Sequence, residues 1–431
     1  MTNKMVEAQA KDAPEKEELK GMAGALLGRS VLDALDDDLR RIGFAGPTGV
    51  PKLVLLACMS RCLRRPVSLL IKGASSSGKS YSLNAGLKFV PAQAYEYFAG
   101  MSNKALVYAE SLDLRHRMLV IGEAAGMEDG SGNPFLRQLL SENQVRYLTV
   151  QKSEGEGNVG VEMKGVQGPT GLVMTTTANA LHPEDENRML SVTLDESPET
   201  IRQVLRNQAL GLDESANVVD YVPYHALHQL VGSEPTDVNI PFASVLADAL
   251  PTTHNRVQRD FPKVLGLVKA HALLHQWGRS RDAGGRCIAS LDDYEVVYGL
   301  VAEPLSQGVE ASVTETMRDV VGGVAKLTGG RRQSEFPMSV SDMDTAGPIS
   351  QRTLAAELRR DPSVVSRTVS KAVELGYLEN LNPGQGREAR LQLGKRDLPQ
   401  GTVLPHPDEL RKAMKEQNAG KLVRPTPSLV A

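Results

Sequence analysis

An eight-residue motif rich in glycine and serine constrains this chain more than any other feature of its sequence. The motif consists of Gly73, Ala74, Ser75, Ser76, Ser77, Gly78, Lys79 and Ser80, which fit the pattern GxxxxGK followed by Ser or Thr. It follows the apolar run SLLI and precedes the helix-like stretch SYSLNAGLKFV. This order predicts a buried strand, a curled loop and a helix. Because the glycines let successive amide groups point into one concavity at the start of a helix, such a loop suits phosphate groups.

Buried strands and helices are predicted to alternate along the region that carries the motif. Apolar runs occur at Val67–Ile71, Met118–Ile121 and Gly171–Thr177, and amphipathic helical patterns separate them. This alternation predicts an α/β fold with a mainly parallel sheet. From about residue 196 the pattern turns helical.

Composition places the chain among globular proteins with several segments. Of its 431 residues, 41% are hydrophobic and 23% are charged, which excludes a disulfide scaffold, a fibre and a fully disordered chain. No run reaches the ~18 to 20 apolar residues of a membrane span, and the N-terminus is charged where a signal peptide is apolar, so we expect a cytoplasmic protein. The predicted segments are a disordered leader (1–20), a helical lead-in (21–63), an α/β core (64–195), a helical lid (196–310), a linker (311–348), a small C-terminal unit (349–396) and a tail (397–431).

The three cysteines predict neither a disulfide framework nor a zinc site. Cys58 and Cys62 lie four residues apart in an apolar segment, and Cys287 stands alone. Because no paired CxxC motif accompanies them, buried free thiols are the favoured interpretation.

The motif and the next apolar run supply three residues with expected roles toward ATP. Lys79 is expected to reach the β- and γ-phosphates, and Ser80 to give its hydroxyl to Mg²⁺. Glu123 follows the apolar run MLVI and one glycine, 44 positions after Lys79, and is the candidate catalytic base. The alternative interpretation of Glu123 is a solvated glutamate at a strand end.

Gly122 departs from the usual pattern, in which two acids stand in a row after this strand. Either Ser80 and water hold Mg²⁺ without the first acid, or Glu128 or Asp129 supplies a carboxylate. The glycine otherwise predicts a slow or inactive ATPase.

Polar residues after the third apolar run have candidate roles at the γ-phosphate. Thr177 and Asn179 stand at the end of the predicted strand, where they can sense that group. Arg188 comes just before another apolar run, and in ring ATPases such an arginine reaches the neighbour's nucleotide and stabilises charge in the transition state. A surface salt bridge with nearby acids is the alternative for Arg188.

A β-hairpin is predicted just before that strand. Alternating segments at Val145–Val150 and Val159–Val166 flank the glycine-rich SEGEGNVG. Because the hairpin carries Lys152 and Lys164, DNA contact is one interpretation of its role, although nearby glutamates leave the hairpin nearly neutral. A structural or subunit-facing hairpin is the equal alternative.

In this order the motifs resemble the AAA+ ATPase module of minichromosome-maintenance-type helicases and of related replicative helicases carried by plasmids, phages and integrated elements. The resemblance covers roughly residues 20–310 and rests on the loop, on MLVIGE, on the hairpin, on TTTAN and on NRMLSVTLDE. The stretch RDFPKVLGLVKAHA is similar to the family's lid helix, which implies that Arg259 contacts nucleotide. The alternative for Arg259 is a charged residue that caps an amphipathic helix. The resemblance also implies ATP with Mg²⁺, and Tyr81, directly after the motif, is a further candidate ATP-binding residue. It implies a ring, expected to be a hexamer, with ATP between subunits.

The C-terminal unit has the pattern of a winged helix-turn-helix. One helix is predicted over Gln351–Arg359, and a second begins with Asp361 as cap and Pro362 at its first position and ends at Gly376. The segments YLENL and EARLQL around NPGQG then predict a small hairpin. Nine Arg or Lys against five Asp or Glu give the unit a charge of +4. Candidate DNA-binding residues are Ser363, Ser366, Arg367, Ser370, Lys371, Arg387 and Arg390, with protein docking as the alternative.

Together these features predict a DNA-dependent ATPase that works as a ring, a helicase-like motor for replicating a mobile element. DNA, and a primase or an initiator protein, are the expected partners. The alternative is an ATP-switched DNA-binding regulator or scaffold with little turnover, which Gly122 favours. A kinase of small metabolites is disfavoured because no acceptor pocket is recognisable and such an enzyme needs no winged helix.

Overall fold

The computed structural model describes residues 14–75, 77–109, 111–124, 133–153, 157–177, 181–194, 198–209, 218–251, 255–310, 315–329, 348–384, 387–396, 398 and 403–422. The chain divides into two compact units. The larger is drawn from residues 1–250, 256–305 and 404–431, and the smaller from residues 251–255 and 306–403.

The described strands fall in both units. They are β1 (Leu69–Lys72), β2 (Tyr95–Phe98), β3 (Arg117–Ile121), β4 (Gln144–Ser153), β5 (Gly157–Gln167), β6 (Thr170–Thr176), β7 (Leu190–Thr193), β8 (Val238–Asn239), β9 (Cys287–Ile288), β10 (Leu378–Asn380) and β11 (Leu391–Leu393).

Helices occupy most of the remaining described residues. They are α1 (Lys16–Ala23), α2 (Val31–Arg41), α3 (Gly49–Met59), α4 (Lys79–Leu87), α5 (Ala105–Tyr108), α6 (Pro134–Glu142), α7 (Pro183–Glu186), α8 (Pro198–Ala209), α9 (Val222–Gly232), α10 (Ala243–Asp248), α11 (Asn255–Leu274), α12 (Leu291–Glu310), α13 (Glu315–Leu327), α14 (Gln351–Leu358), α15 (Pro362–Glu374) and α16 (Pro407–Leu422). Short 3-10 turns lie at Ser60–Cys62, Ala92–Ala94 and Gln276–Gly278.

A parallel five-stranded sheet forms the core of the larger unit, in the order β2, β3, β6, β1, β7. Its central strands are mostly apolar and almost wholly buried, as is typical of strands covered on both faces. Leu69 is aligned with Val173 on one side and Leu190 on the other, so the carboxyl ends of β1, β6 and β7 lie at one edge. The predicted α/β fold with a parallel sheet is confirmed.

The antiparallel hairpin of β4 and β5 is joined to this core at its base. Val145 and Val166 are buried there, and Phe135 on α6 makes an edge-to-face contact with Tyr147 at 5.2 Å. Tertiary packing thus holds the base of the hairpin.

The smaller unit contains the helices α13, α14 and α15 and a two-stranded sheet. Asp361 accepts a hydrogen bond from the amide of Ser363 at the start of α15, and β10 pairs antiparallel with β11. Val365 and Val369 on α15 are buried, together with residues of α13 and α14. These apolar contacts hold the helices and the sheet around one core.

The predicted linker 311–348 differs from the structure because residues 315–327 form α13. Met317, Val320 and Val324 are buried in the core of the smaller unit. A Cβ atom on Gly323 would lie 2.8 Å from Leu354 Cδ1, so the glycine permits close packing of α13 on α14. The sequence Gly-Gly within the helix, which favours a turn in isolation, is therefore explained by tertiary contact.

The two predicted ends of the chain also contain ordered helices. In the leader 1–20, α1 begins at Lys16, which pairs with Glu234 at 2.5 Å, and Leu19 is buried. In the tail 397–431, Leu410 on α16 is buried. Both helices are amphipathic segments that tertiary contacts order.

The cysteine thiols are free in the structure. Cys58 and Cys287 are buried and Cys62 is half-buried. Burial raises the pKa of Cys58 to about 12 and also raises the pKa of Cys62 and of Cys287. Such thiols carry little thiolate at neutral pH and are chemically inert.

Acid is expected to destabilise the larger unit through His275. Burial lowers the pKa of this imidazole to about 4, with further repulsion from His271. Since the unfolded chain binds the proton at its ordinary pKa of about 6.5, folding stability falls as pH drops from 6.5 towards 4. We expect His275→Gln to reduce the stability lost between pH 7 and pH 4.5 by about 2 kcal/mol. Urea unfolding of both proteins at the two pH values measures this, and equal losses would contradict it.

Candidate functional site

The motif loop joins the carboxyl end of β1 to the amino end of α4. Gly78 precedes α4 with φ +79°, a left-handed conformation that favours glycine. The amide of Ser77 donates to the carbonyl of Ala74 at 3.3 Å, which curls the loop. Ser76 lies outside the described residues.

Lys79 is the first residue of α4 and is only 7% exposed. Its Nζ atom donates to the carbonyl oxygens of Gly73 and Ala74 at 3.0 and 2.5 Å and lies 3.4 Å from Ser77 Oγ. Among the described residues, no carboxylate pairs with it. A buried cation at the positive end of a helix dipole is unfavourable by itself, and a bound anion would relieve the cost.

The next two residues are open to solvent. Ser80 is exposed, and its hydroxyl has no hydrogen-bond partner in the part of the chain that the structure describes. The Tyr81 ring stacks on Phe44, with 5.0 Å between ring centroids and 7° between planes. This stack fixes the segment 42–47 beside the loop.

A cavity of about 710 Å³ lies against the loop. Besides Ser75, Ser77, Gly78, Tyr81 and Ser82, its lining comprises Ile42, Gly43, Ala45, Gly46, Pro47, Leu194, Thr200, Ile201, Val204, Leu205 and Asn207. Ile201 is 50% exposed and Leu205 58% exposed, so α8 presents unpartnered apolar side chains to this space. The volume and the mostly apolar lining of this cavity suit an apolar part of a ligand whose other end contacts the loop.

Glu123 lies just past the carboxyl end of β3, on the same edge of the sheet as the loop. It is exposed, and its carboxylate has no partner within the described ranges. Its amide donates to the carbonyl of Ala99 at 3.0 Å, and Thr175 Oγ1 donates to the carbonyl of Gly122. These bonds fix the backbone and leave the carboxylate free to act as a base.

Strand β6 lies between β1 and β3, so its end separates the loop from Glu123. Thr177 is exposed at this position. Asn179, predicted beside it, lies outside the described residues, as do Glu128 and Asp129.

Arg188 and Arg259 line a different cavity, of about 800 Å³, which the structure places at the opposite edge of the sheet. The residues Pro66, Val67 and Ser68, which lead into β1, form part of its wall, together with Arg64, Arg65, Leu140, Ser141, Asn143, Glu184, Asn187, Pro262 and Lys263. The motif loop, by contrast, follows the carboxyl end of β1. Arg259, predicted to contact nucleotide, is thus next to Arg188 and not next to the loop of its own chain.

Positive charge accumulates in this second cavity. Arg188 donates to Ser141 Oγ at 3.0 Å and to the carbonyl of Glu184 at 2.6 Å, and to no carboxylate in the described structure. Burial lowers the pKa of its guanidinium, and Arg137 and Arg259 add repulsion. Arg64, Arg65 and Arg259 likewise make no ion pair with any described carboxylate. The cavity therefore favours a polyanion.

The outer part of the hairpin carries exposed apolar residues. Leu148 is 73% exposed and Val150 65% exposed. Lys152 pairs in register with Asn158, and Lys164 with Arg146, but their side chains lie outside what the structure describes.

In the smaller unit, most of the predicted DNA-binding residues are at the surface. Ser363, Arg367, Ser370, Lys371, Arg387 and Arg390 are exposed and Ser366 is half-buried. Lys371 pairs with Glu374 at 3.0 Å, while Arg367 Nε donates only to a carbonyl, that of Ser363, at 3.4 Å. The guanidinium of Arg367 is available to a phosphate.

In comparisons with known proteins, no family model and no curated protein matches the chain. Within the described ranges, no helix is both long and apolar enough to cross a membrane.

The sequence did not indicate which residues line the two cavities. Phe44, Ile201 and Leu205 come from segments far apart in the chain, and nothing local marks them as neighbours of the loop. The pair Arg64 and Arg65, three residues before β1, was the one signal in the sequence for the second cavity.

Proposed function

We propose that this protein is a DNA-dependent ATPase of the AAA+ class that works as a ring, a helicase-like motor for replicating a mobile element. One observation carries the proposal: the buried Lys79 ammonium, without a carboxylate partner among the described residues, lies in a curled loop beside an apolar cavity of about 710 Å³. A nucleoside triphosphate would account for both the lysine and the cavity, because its phosphates neutralise the lysine and its base fills the cavity.

ATP with Mg²⁺ is the proposed substrate. The exposed Ser80 hydroxyl suits the metal, and the loop contains no acid that would repel phosphate. Glu123 is proposed to take the proton of the attacking water.

A second copy of the chain is proposed to complete the site. Arg188 and Arg259 lie at the edge of the sheet opposite the loop, so within one chain they are on the wrong side of β1 for its own nucleotide. In a head-to-tail ring, the arginine-lined cavity of each subunit would face the motif loop of the next subunit. Both guanidiniums would then reach the γ-phosphate of the nucleotide bound there. A hexamer is the ring size we propose.

The second candidate function is an ATP-switched DNA-binding regulator or scaffold with little turnover. Gly122, which carries no carboxylate next to Glu123, favours it. Turnover measured with and without single-stranded DNA separates the two: strong stimulation supports the motor, and binding without turnover supports the switch.

Binding of a fluorescent ATP analogue with Mg²⁺ tests the nucleotide site itself. Lys79→Ala is expected to weaken binding about 10- to 150-fold, the equivalent of a lost charged hydrogen bond of about 1.5–3 kcal/mol. Lys88→Ala is the matched control because Lys88 is exposed and follows the other end of α4. Equal affinity in wild type and Lys79→Ala, or no binding by the wild type, would contradict the proposal.

DNA binding by the smaller unit is proposed to involve Arg367. Replacing it by alanine is expected to weaken binding at every sequence and to reduce the slope of log K against log salt by about 1, since one phosphate contact is lost. Fluorescence anisotropy at several salt concentrations measures both. Arg360→Ala is the control, as Arg360 pairs with Asp319 at 2.6 Å. Identical slopes for the two variants would exclude this role for Arg367 and favour protein docking.

A further inference from the structure

The hydroxyl of Tyr97 occupies the space beside Gly122. Tyr97 lies on β2, which pairs in parallel with β3, and Phe98 is aligned with Ile121. A Cβ atom built on Gly122 would overlap the Tyr97 hydroxyl oxygen and lie 3.1 Å from Cζ. No side chain fits at position 122 while the Tyr97 ring holds this place.

The Tyr97 hydroxyl is free to contact a ligand. It has no hydrogen-bond partner among the residues that the structure describes, and the residue is 46% exposed. Its oxygen lies at the carboxyl edge of the sheet, next to the backbone that carries Glu123. An aspartate at position 122 would begin its side chain at this point.

We propose that Tyr97 is a positioning residue that substitutes for the missing acid at position 122. Its phenol oxygen accepts a hydrogen bond from a water molecule of the Mg²⁺ shell of bound ATP. A hydroxyl can accept this bond as a carboxylate does, but it brings no negative charge. The inference depends on the proposed ATP site and adds to it a residue that orients the metal's water shell.

The substitution has a consequence for magnesium affinity. A carboxylate next to Glu123 would attract Mg²⁺ by charge, whereas a neutral phenol contributes a hydrogen bond only. The nucleotide site is therefore expected to need more free Mg²⁺ than one with two acids.

The test measures the Mg²⁺ concentration that gives half-maximal binding of a non-hydrolysable ATP analogue. Tyr97→Phe keeps the ring in place and removes the hydroxyl, so it is expected to raise this concentration about two- to tenfold, as loss of one neutral hydrogen bond does. Tyr108→Phe is the matched control, a tyrosine in the same unit that is 58% exposed. Because the readout is binding, it also applies to a protein with slow turnover.

A double variant tests the proposal by restoring an acid at position 122. Tyr97→Ala combined with Gly122→Asp removes the overlapping ring and supplies the acid, and it is expected to need less Mg²⁺ than Tyr97→Ala alone. Equal Mg²⁺ dependence of wild type and Tyr97→Phe, or of the double and single variants, would overturn the role of Tyr97 and leave the ATP site intact. Absence of analogue binding by the wild type would overturn the ATP site and this inference with it.

Discussion

Replacing Glu123 by glutamine is expected to lower ATP turnover by about 10²- to 10⁴-fold while nucleotide affinity is retained. The carboxylate is exposed and has no partner in the described structure. It lies just past the end of β3, which β6 separates from β1, the strand before the motif loop. Glutamine has the same shape but cannot accept the proton of the attacking water. Steady-state phosphate release measures the loss of turnover, and binding of an ATP analogue to the same preparation measures the retained affinity.

The loss of turnover is expected at Glu123 and not at other exposed glutamates. Glu142→Gln changes another exposed glutamate of the same unit that lines neither cavity, and it should turn over ATP as the wild type does. Wild-type turnover in Glu123→Gln would assign the base to another residue and reduce Glu123 to a solvated side chain at a strand end.

The elements around the site were predictable because their signals are local. The run SLLI, the glycines of the motif and the stretch that follows specify strand, loop and helix within a few residues. The second helix of the smaller unit begins where Asp361 and Pro362 predict, because a side-chain cap and a fixed φ act over one turn. Local chemistry thus determined where these elements begin.

The cavities were not predictable because they depend on tertiary packing. The wall beside the loop combines Phe44 and Leu205, which only the folded chain brings near Tyr81. The same holds for Gly122: the sequence marks it as a missing acid, but only the position of the Tyr97 ring gives a steric reason for the glycine. Residues that fill a site from a neighbouring strand leave no spacing pattern to detect.

Arg188→Ala is expected to lower turnover by about 10³- to 10⁵-fold, the size of effect that an arginine acting on a γ-phosphate has. Since Arg188 lies at the edge of the sheet opposite the motif loop, this loss is expected only if a second copy supplies the arginine. Nucleotide binding by the isolated chain should be unaffected. Arg115→Ala, which removes an exposed arginine paired with Asp113, is the matched control.

Mixing two inactive variants distinguishes an arginine supplied by a neighbour from one supplied by the same chain. In a mixture of Arg188→Ala and Glu123→Gln, some interfaces join an intact Glu123 to an intact Arg188 from the next subunit. At equal amounts and random assembly this applies to about one quarter of interfaces, so turnover is expected to recover towards that share of the wild-type rate. If Arg188 acted within its own chain, every subunit would still lack one group, and the mixture would be as inactive as its components. That outcome would remove the shared site and with it the catalytic need for a ring.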